Sequence, residues 1–262
     1  MIEEKTYCDT SKLSIRLITK SVAKDIIVNN HYSGLWTKVS YAIGLFTSDV
    51  EEHPFFDNVE DTLIGVACYG DPIGRSAGQS ITPLLERDEV LELTRLFVFD
   101  DYGSNIESWF LSQTFDWLRT NVPKIKGLIS YSDPKEGHCG TIYQATNWLY
   151  QGNRIRPNDS WLFRWEEDGK FQHGRTIFPY YGTNDIEKMK GLVEKDFWVK
   201  KELRKHRYVY LLGSKNEKRK VLKNLKHPLF PYPKTADIVI PEIVKVKVYK
   251  DFNKHKTGVH HG

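Results

Sequence analysis

Between positions 130 and 138 the chain reads Ser-Tyr-Ser-Asp-Pro-Lys-Glu-Gly-His, a crowd of polar groups where an apolar strand runs out. In open α/β sheets ligands settle outside the carboxyl ends of strands, so Asp133 stands where a catalytic carboxylate would accept a proton or a hydrogen bond. The same aspartate can instead cap the turn ahead of Pro134. Tyr143 lies one turn into the helix expected next, and its phenol could point back toward Asp133. With a pKa of about 10, a phenol gives up a proton to a leaving group but is a weak base at neutral pH. Core packing is its other role. Arg95 interrupts the apolar face of an expected strand, and a guanidinium there requires an anion, either a ligand or a carboxylate such as Glu92 or Asp133. His31 and Tyr32 close the first expected helix just before Gly34, offering a titratable imidazole or simply a helix end. His31, Asp133 and His138 have the residue types of a two-histidine, one-carboxylate metal site, although their spacing adds nothing to that reading.

The elements that must hold these groups are legible from periodicity. Residues 14–19 alternate as a short strand, and Ser21 can cap a helix whose apolar face is Val22, Ala23, Ile26 and Ile27. Strands are expected over 39–46 and 63–69, with an acidic loop between them and an irregular segment over 71–80. The strongest strand is 90–99, with Leu91, Leu93, Phe97 and Phe99 expected on one face and Arg95 among them. A helix starts at Asn105, the strand 127–131 precedes Asp133, and a second helix is expected over 141–148. Strands at 161–165 and 207–212 bracket a helix expected over about 185–205. The order predicts an α/β protein, a mixed central sheet flanked by helices. From Pro231 onward only one apolar run remains, read as an extended arm or edge strand.

The chain has 262 residues, 40% of them apolar and 13% aromatic, which is ample for a packed core and excludes global disorder. No apolar run reaches the length of a membrane span, and the N-terminus lacks the apolar stretch of a secretory signal. Cys8, Cys68 and Cys139 are odd in number and scattered, which argues against a disulfide framework or a structural zinc site and for a reducing cytoplasm. The formal net charge of +4 hides an asymmetry. Residues 199–262 hold 17 Lys and Arg against 5 Asp and Glu, on an otherwise acidic body. Clustered cations of this kind suit a polyanionic partner, or a solvated tail.

Several segments together resemble one family. HYSG at 31–34, LTRLFV at 93–98, NIESWF at 105–110, YSDPKEGHCGTIYQATNWLYQG at 131–152 and KHRYVY at 205–210 resemble the bacteriophage Mom-type DNA adenine-modification proteins. The likeness runs over about residues 12–212, and the YSDP…GTIYQA…W block is its most specific part. It implies a fold like the Gcn5-related N-acetyltransferases over residues 1–213, followed by a basic C-terminal extension over 214–262. It also implies an enzyme that turns the exocyclic amine of adenine in double-stranded DNA into an acetamido (carbamoylmethyl) derivative. That modification would shield phage DNA from restriction in the bacterial host cytoplasm. Carried over, the family's active-site His-Tyr falls on His31 and Tyr32, its aspartate on Asp133 and its helix tyrosine on Tyr143. Residues associated with donor binding fall on Arg95 and Ser108.

One departure bears on the donor. Acetyltransferases of this fold hold the coenzyme A pyrophosphate on a glycine-rich loop at a helix N-terminus. Here that loop is Asp100-Asp101-Tyr102-Gly103-Ser104-Asn105, whose two carboxylates would repel a pyrophosphate. The donor is therefore open between acetyl-coenzyme A and an aminoacyl unit carried on tRNA, since a glycyl group has the atoms of carbamoylmethyl. Iron is a further cofactor to test. Adenine N6 is a poor nucleophile and is paired in a duplex, so the base must be extruded and stacked. Tyr32, Trp36, Tyr41 and Trp148 are the aromatic surfaces available for this. In this reading Asp133 accepts from N6–H, His31 assists as base, Tyr143 protonates the leaving group, and lysines between 200 and 226 grip phosphates. Two other readings compete: an ordinary N-acyltransferase acting on a protein or small amine, and a nucleic-acid-binding protein without catalysis.

Overall fold

The structure is a computed structural model that describes residues 9–48, 61–72, 79–153, 160–235 and 241–248. Cys8, Arg154, Arg156, most of the acidic loop between the second and third strands, most of the segment 71–80 and the side chain of Asp101 lie outside the described residues. In chain order the elements are β1 (Leu13–Leu17), α1 (Lys20–Asn30), β2 (Tyr41–Thr47), β3 (Thr62–Gly70), β4 (Val90–Val98), α2 (Ile106–Asn121), β5 (Gly127–Ser132), α3 (Thr141–Ala145) and β6 (Leu149–Tyr150). There follow β7 (Trp161–Arg164), β8 (Gln172–His173), α4 (Gly174–Tyr181), α5 (Ile186–Lys190), β9 (Phe197–Lys201), β10 (His206–Leu211), α6 (Lys215–Lys223) and β11 (Ile243–Val246).

The chain divides into two compact units. Residues 205–235 belong with the N-terminal body, whereas 160–204 and 241–248 make the second unit, so residues 214–262 are shared between them. The first unit is a seven-stranded sheet in the order β1-β2-β3-β4-β5-β10-β6. All its pairs are antiparallel except β4 with β5. This is the mixed sheet flanked by helices that the sequence leads one to expect. On one face α2 buries Ile106, Phe110, Leu111, Phe115 and Leu118 against Leu91, Leu93, Leu128 and Trp148. Each such side chain contributes about 1.5–3 kcal/mol on burial. On the other face α1 packs Ala23 and Ile27 against Val66 and Cys68, and Val221 of α6 meets Val90, Ile129 and Val209. Burial pushes the Cys68 thiol up to about 12, which leaves it an inert core residue.

Three features of this sheet create the site. First, β4 and β5 pair with each other only from Val90↔Gly127 to Glu92↔Ile129; beyond that β4 stays paired to β3 and β5 to β10, and the sheet opens between them toward their carboxyl ends. Second, β4 is bulged. Cys68 faces Arg95 while Tyr69 faces Leu93, which leaves Thr94 as the extra residue, its Oγ1 donating to Cys68 O at 3.1 Å. The bulge reverses the alternation. Leu91, Leu93, Leu96 and Val98 pack on the α2 side, while Phe97 joins the α1 side and Arg95 turns the same way. The expected single face of Leu91, Leu93, Phe97 and Phe99 is therefore corrected. Third, α3 is only five residues long, shorter than the expected 141–148. Thr146 Oγ1 bonds back to Ile142 O, and Asn147 takes φ 59°, which turns the chain into β6.

Two smaller expectations also change. The cap of α1 is Thr19, whose Oγ1 accepts from Val22 N–H, and not Ser21. In the second unit the helix expected over 185–205 is the short α5 followed by strand β9, because Phe197 and Val199 alternate into that unit's core. That unit is a four-stranded sheet, β11-β9-β7-β8, with α4 and α5 covering one face through Ile177 and Met189. β11 is its edge strand, from the run that reads as an arm in the sequence. No helix among the described residues is long and apolar enough to cross a membrane.

Candidate active site

The opened end of the sheet gathers side chains from α1, β4, β5 and α3. His31 caps α1, its backbone N–H returning to Ile27 O at 3.1 Å. Ser33 then fixes the ring, since its backbone N–H donates to His31 Nδ1 at 3.1 Å and its Oγ lies 2.9 Å from the same nitrogen. A backbone amide can only donate, so Nδ1 is an acceptor and the ring proton sits on Nε2. Burial first, then the charges of Arg95 and His138, hold the imidazole down at about 4. It is neutral at physiological pH, and its outward nitrogen is a donor. A base role for His31 through Nε2 would require the ring proton on Nδ1 instead.

Tyr32 stacks on His31 with ring centroids 4.2 Å apart and lies 5.3 Å from the His138 ring. The residue is 59% exposed, so it is the accessible member of the four stacking aromatics. Trp148 is fully buried, Tyr41 packs against Trp117, and Trp36 packs under α1. The Tyr32 phenol is raised by burial and by the Asp133 carboxylate, while Arg95 acts the other way. Asp133 and Arg95 are thus both close enough to Tyr32 to bias its proton.

Asp133 realises the capping role and remains at the site. Its Oδ1 accepts from Lys135 N–H at 3.1 Å, and its Oδ2 lies 3.2 Å from Lys205 Nζ. The carboxyl side chain is 16% exposed, and each oxygen still has a free lone pair. Arg95 donates from Nε to Leu35 O at 3.0 Å and from Nη1 to Thr94 O at 2.6 Å. It has no carboxylate partner among the described residues, so the expected ion pairs with Glu92 or Asp133 do not form. Two backbone carbonyls hold the guanidinium in place and leave its remaining N–H groups for an anion or a carbonyl.

Tyr143 reaches this centre from α3. Ser130 Oγ is 2.8 Å from both Leu93 O and the Tyr143 phenol oxygen. Its single hydroxyl proton serves one of them at a time, and when it goes to the phenol oxygen the phenol's own proton is available to a third group. Burial pushes Tyr143 up to about 12, with Tyr32 and Glu92 adding to the effect, which makes it an acid and not a base near neutrality. The position of α3 depends on Gly140, which has φ 79°. A Cβ there would come within 2.5 Å of the Tyr208 ring, and Tyr208 is fully buried and cannot retreat. Gly140→Ala should therefore cost about 1–3 kcal/mol, read as a drop in thermal midpoint, with Tyr143 displaced from its contact with Ser130.

Ser108 does not join the cluster. It sits in the first turn of α2, its Oγ donating to Asn105 O at 2.9 Å, and it lines a separate cavity of about 340 Å³ with Thr10, Ser104, Trp109, Ser112 and Ala145. Ala145, which lines the cavity, belongs to the same short helix as Tyr143. The turn before α2 carries Asp100 and the single glycine Gly103, at φ 92°. No group of three His, Cys, Asp or Glu side chains among the described residues is arranged to hold a metal. His31, Asp133 and His138 are not arranged as such a group, and His31 Nδ1 already accepts from Ser33 N–H. Ser33, Ser130 and Lys205 were not singled out from the sequence. Only Ser130, a hydroxyl inside the apolar run GLISY, carries a signal there.

A mixed sheet whose opened strand ends gather an imidazole, a carboxylate, a guanidinium and two phenols has the build of a group-transfer enzyme. The model of the Mom protein family matches residues 12–234, and the chain belongs to that family. A curated relative, the methylcarbamoylase Mom of Escherichia phage Mu, is 26% identical over 231 residues, covering 86% of this chain and 85% of that protein. Among solved structures, the spermidine/spermine N-acetyltransferase SpeG from Vibrio cholerae aligns with a TM-score of 0.40 and 11% identity, covering 80% of this chain and 98% of that one. NAA60 from Arabidopsis thaliana in complex with acetyl-CoA aligns with a TM-score of 0.42 and 10% identity over 76% of this chain and 99% of that one.

A consequence of the His31 geometry can be measured. A histidine held neutral in the folded state and free to protonate when unfolded makes the unfolded chain bind more protons as pH falls. Stability should therefore decline as pH drops below about 6.5 and continue to decline until the folded ring titrates near 4. Ring-proton NMR should show His31 unprotonated at about pH 5; a midpoint near 6.5 would contradict the donor assignment.

Proposed function

We propose that the protein modifies DNA by converting the N6 amine of adenine to its acetamido (carbamoylmethyl) derivative. The observation that carries this reading is the convergence of His31, Tyr32, Arg95, Asp133 and Tyr143 at the opened ends of β4 and β5, in a chain of the Mom family. The extruded base stacks on the exposed Tyr32 ring. Asp133 accepts a hydrogen bond from N6–H and takes the proton that the amine loses. His31 donates from Nε2 to a ring nitrogen or to the carbonyl of the incoming group. As the new N6–carbon bond forms at the donor's carbonyl and the bond between that carbon and its leaving group breaks, Tyr143 gives the leaving group its proton. From a glycyl donor this yields the N6-glycyl amide, which has the same atoms as the carbamoylmethyl derivative and reaches it by an internal rearrangement that needs no further reactant. The amine thus loses one proton and the leaving group gains one. Lys205 pairs with the Asp133 carboxylate, and Ser130 aims the Tyr143 phenol.

Arg95 binds the carbonyl or anionic part of the donor at the reacting end. The cavity lined by Ser108 houses the donor's body, with Ala145 and Tyr143 on the helix between them. Its hydroxyls suit the carbonyl groups of an aminoacyl unit, whereas Asp100 opposes a coenzyme A pyrophosphate. Double-stranded DNA is the partner, with tRNA as a carrier of the donor. Nucleoside mass spectrometry on plasmid DNA from bacteria expressing this chain tests the reading. A new adenine derivative with the mass of the acetamido product is expected, and unaltered adenine throughout would overturn it.

A further inference from the structure

Register pairing in the second unit places a row of cations and rings on one side of its sheet. Arg164 of β7 and Lys245 of β11 both stand opposite Trp198 of β9, and Lys200 lies two residues further along β9 on the same side. The opposite side, with Phe163, Phe197, Val199 and Val246, is the one covered by α4 and α5. On the first side the Lys245 ammonium is 5.0 Å from the Trp198 ring centre, and the Arg164 guanidinium is 5.7 Å from Trp198 and 4.8 Å from Phe171. The Lys200 ammonium is 4.2 Å from Phe171. The series therefore reads Lys245, Trp198, Arg164, Phe171, Lys200, with each ring between two cations. Arg164 Nε is buried and has no hydrogen-bond partner. Asp196 lies 3.5 Å from Lys245, and Glu202 bonds to His173 at the β8 edge.

We propose that this face of the second unit is a DNA-backbone surface whose phosphates meet Arg164, Lys200 and Lys245. The proposal rests on the reading that DNA is the substrate. The rings hold the cations extended over the sheet, so less side-chain freedom is lost when a phosphate arrives. Aromatic faces that already carry cations offer no hydrogen-bond code for bases, so the contact positions the duplex without reading its sequence.

The test is the salt dependence of DNA affinity for the full chain, with Arg164→Gln, Lys200→Gln and Lys245→Gln combined, and with Lys245→Gln alone as the mildest change at a half-exposed side chain. Each phosphate contact removed should make the slope of log affinity against log salt shallower by about 0.9, so about 2–3 for the triple variant and about 0.9 for the single one. A slope equal to the wild type's in a folded single variant, confirmed by its thermal midpoint, would overturn the surface. A slope lost instead on changing Lys220 and Lys223 of α6 would also overturn it. If the wild type itself shows no salt-dependent DNA binding, the DNA reading fails together with the surface. Wild-type binding with variant slopes unchanged defeats the surface alone.

Discussion

Asp133→Asn should reduce the modified nucleoside by at least about 100-fold while leaving DNA affinity within about twofold of the wild type. The substitution separates chemistry from structure. Asparagine Oδ1 can still accept from Lys135 N–H, so the turn after β5 keeps its cap. What is lost is the negative charge and with it the pairing to Lys205, whose own side chain is 49% exposed. A pair so open to water contributes at most about 1 kcal/mol, too little to unfold the body. Quantitative mass spectrometry of digested DNA, with filter binding on the same preparations, checks both parts. Normal levels of the modified nucleoside would remove Asp133 from the reaction.

Tyr143→Phe should lower turnover by about 100-fold with a stability change below about 1 kcal/mol. The ring contacts with Trp148 and Tyr208, centroids 5.1 and 4.9 Å away, survive the change. Ser130 loses one partner but retains Leu93 O, so no buried donor is stranded. If the phenol protonates the leaving group, the deficit should shrink for donors whose leaving group has a lower pKa. A deficit that stays constant across leaving groups would assign Tyr143 to packing. Single-turnover rates with a graded donor series measure this.

The site was more legible in the sequence than the reason it assembles. Asp133 announced itself by following an apolar strand, and Tyr143 by its spacing from that turn. Arg95 was noticed as a misplaced charge, but for the wrong geometric reason. Strict alternation through residues 90–99 puts it among Leu91, Leu93 and Phe97, and the bulge at Thr94 undoes that pattern. Threonine is an ordinary strand residue, so nothing in the local composition marks the slip, and only pairing with β3 reveals it. The bulge is nonetheless what turns Arg95 toward the α1 side, where His31 lies. The role of His31 was equally hidden, because its tautomer depends on the Ser33 amide, a backbone group with no sequence signature. Trp148 shows the reverse case. It looked like a stacking surface, and lies fully buried where β6 brings it under α2. In the second unit, the sequence over β9 reads as helix because a short run rich in lysine satisfies both periods, and pairing with β7 and β11 decides between them.

The most direct test is a crystal structure of the protein with a duplex carrying one N6-carbamoylmethyl adenine. The modified base should be found out of the stack, its ring against Tyr32, with N6 within hydrogen-bond distance of the Asp133 carboxylate and the added carbonyl facing Arg95 or His31 Nε2. A base that remains paired, or one seated away from Asp133 with Tyr143 pointing elsewhere, would contradict the account.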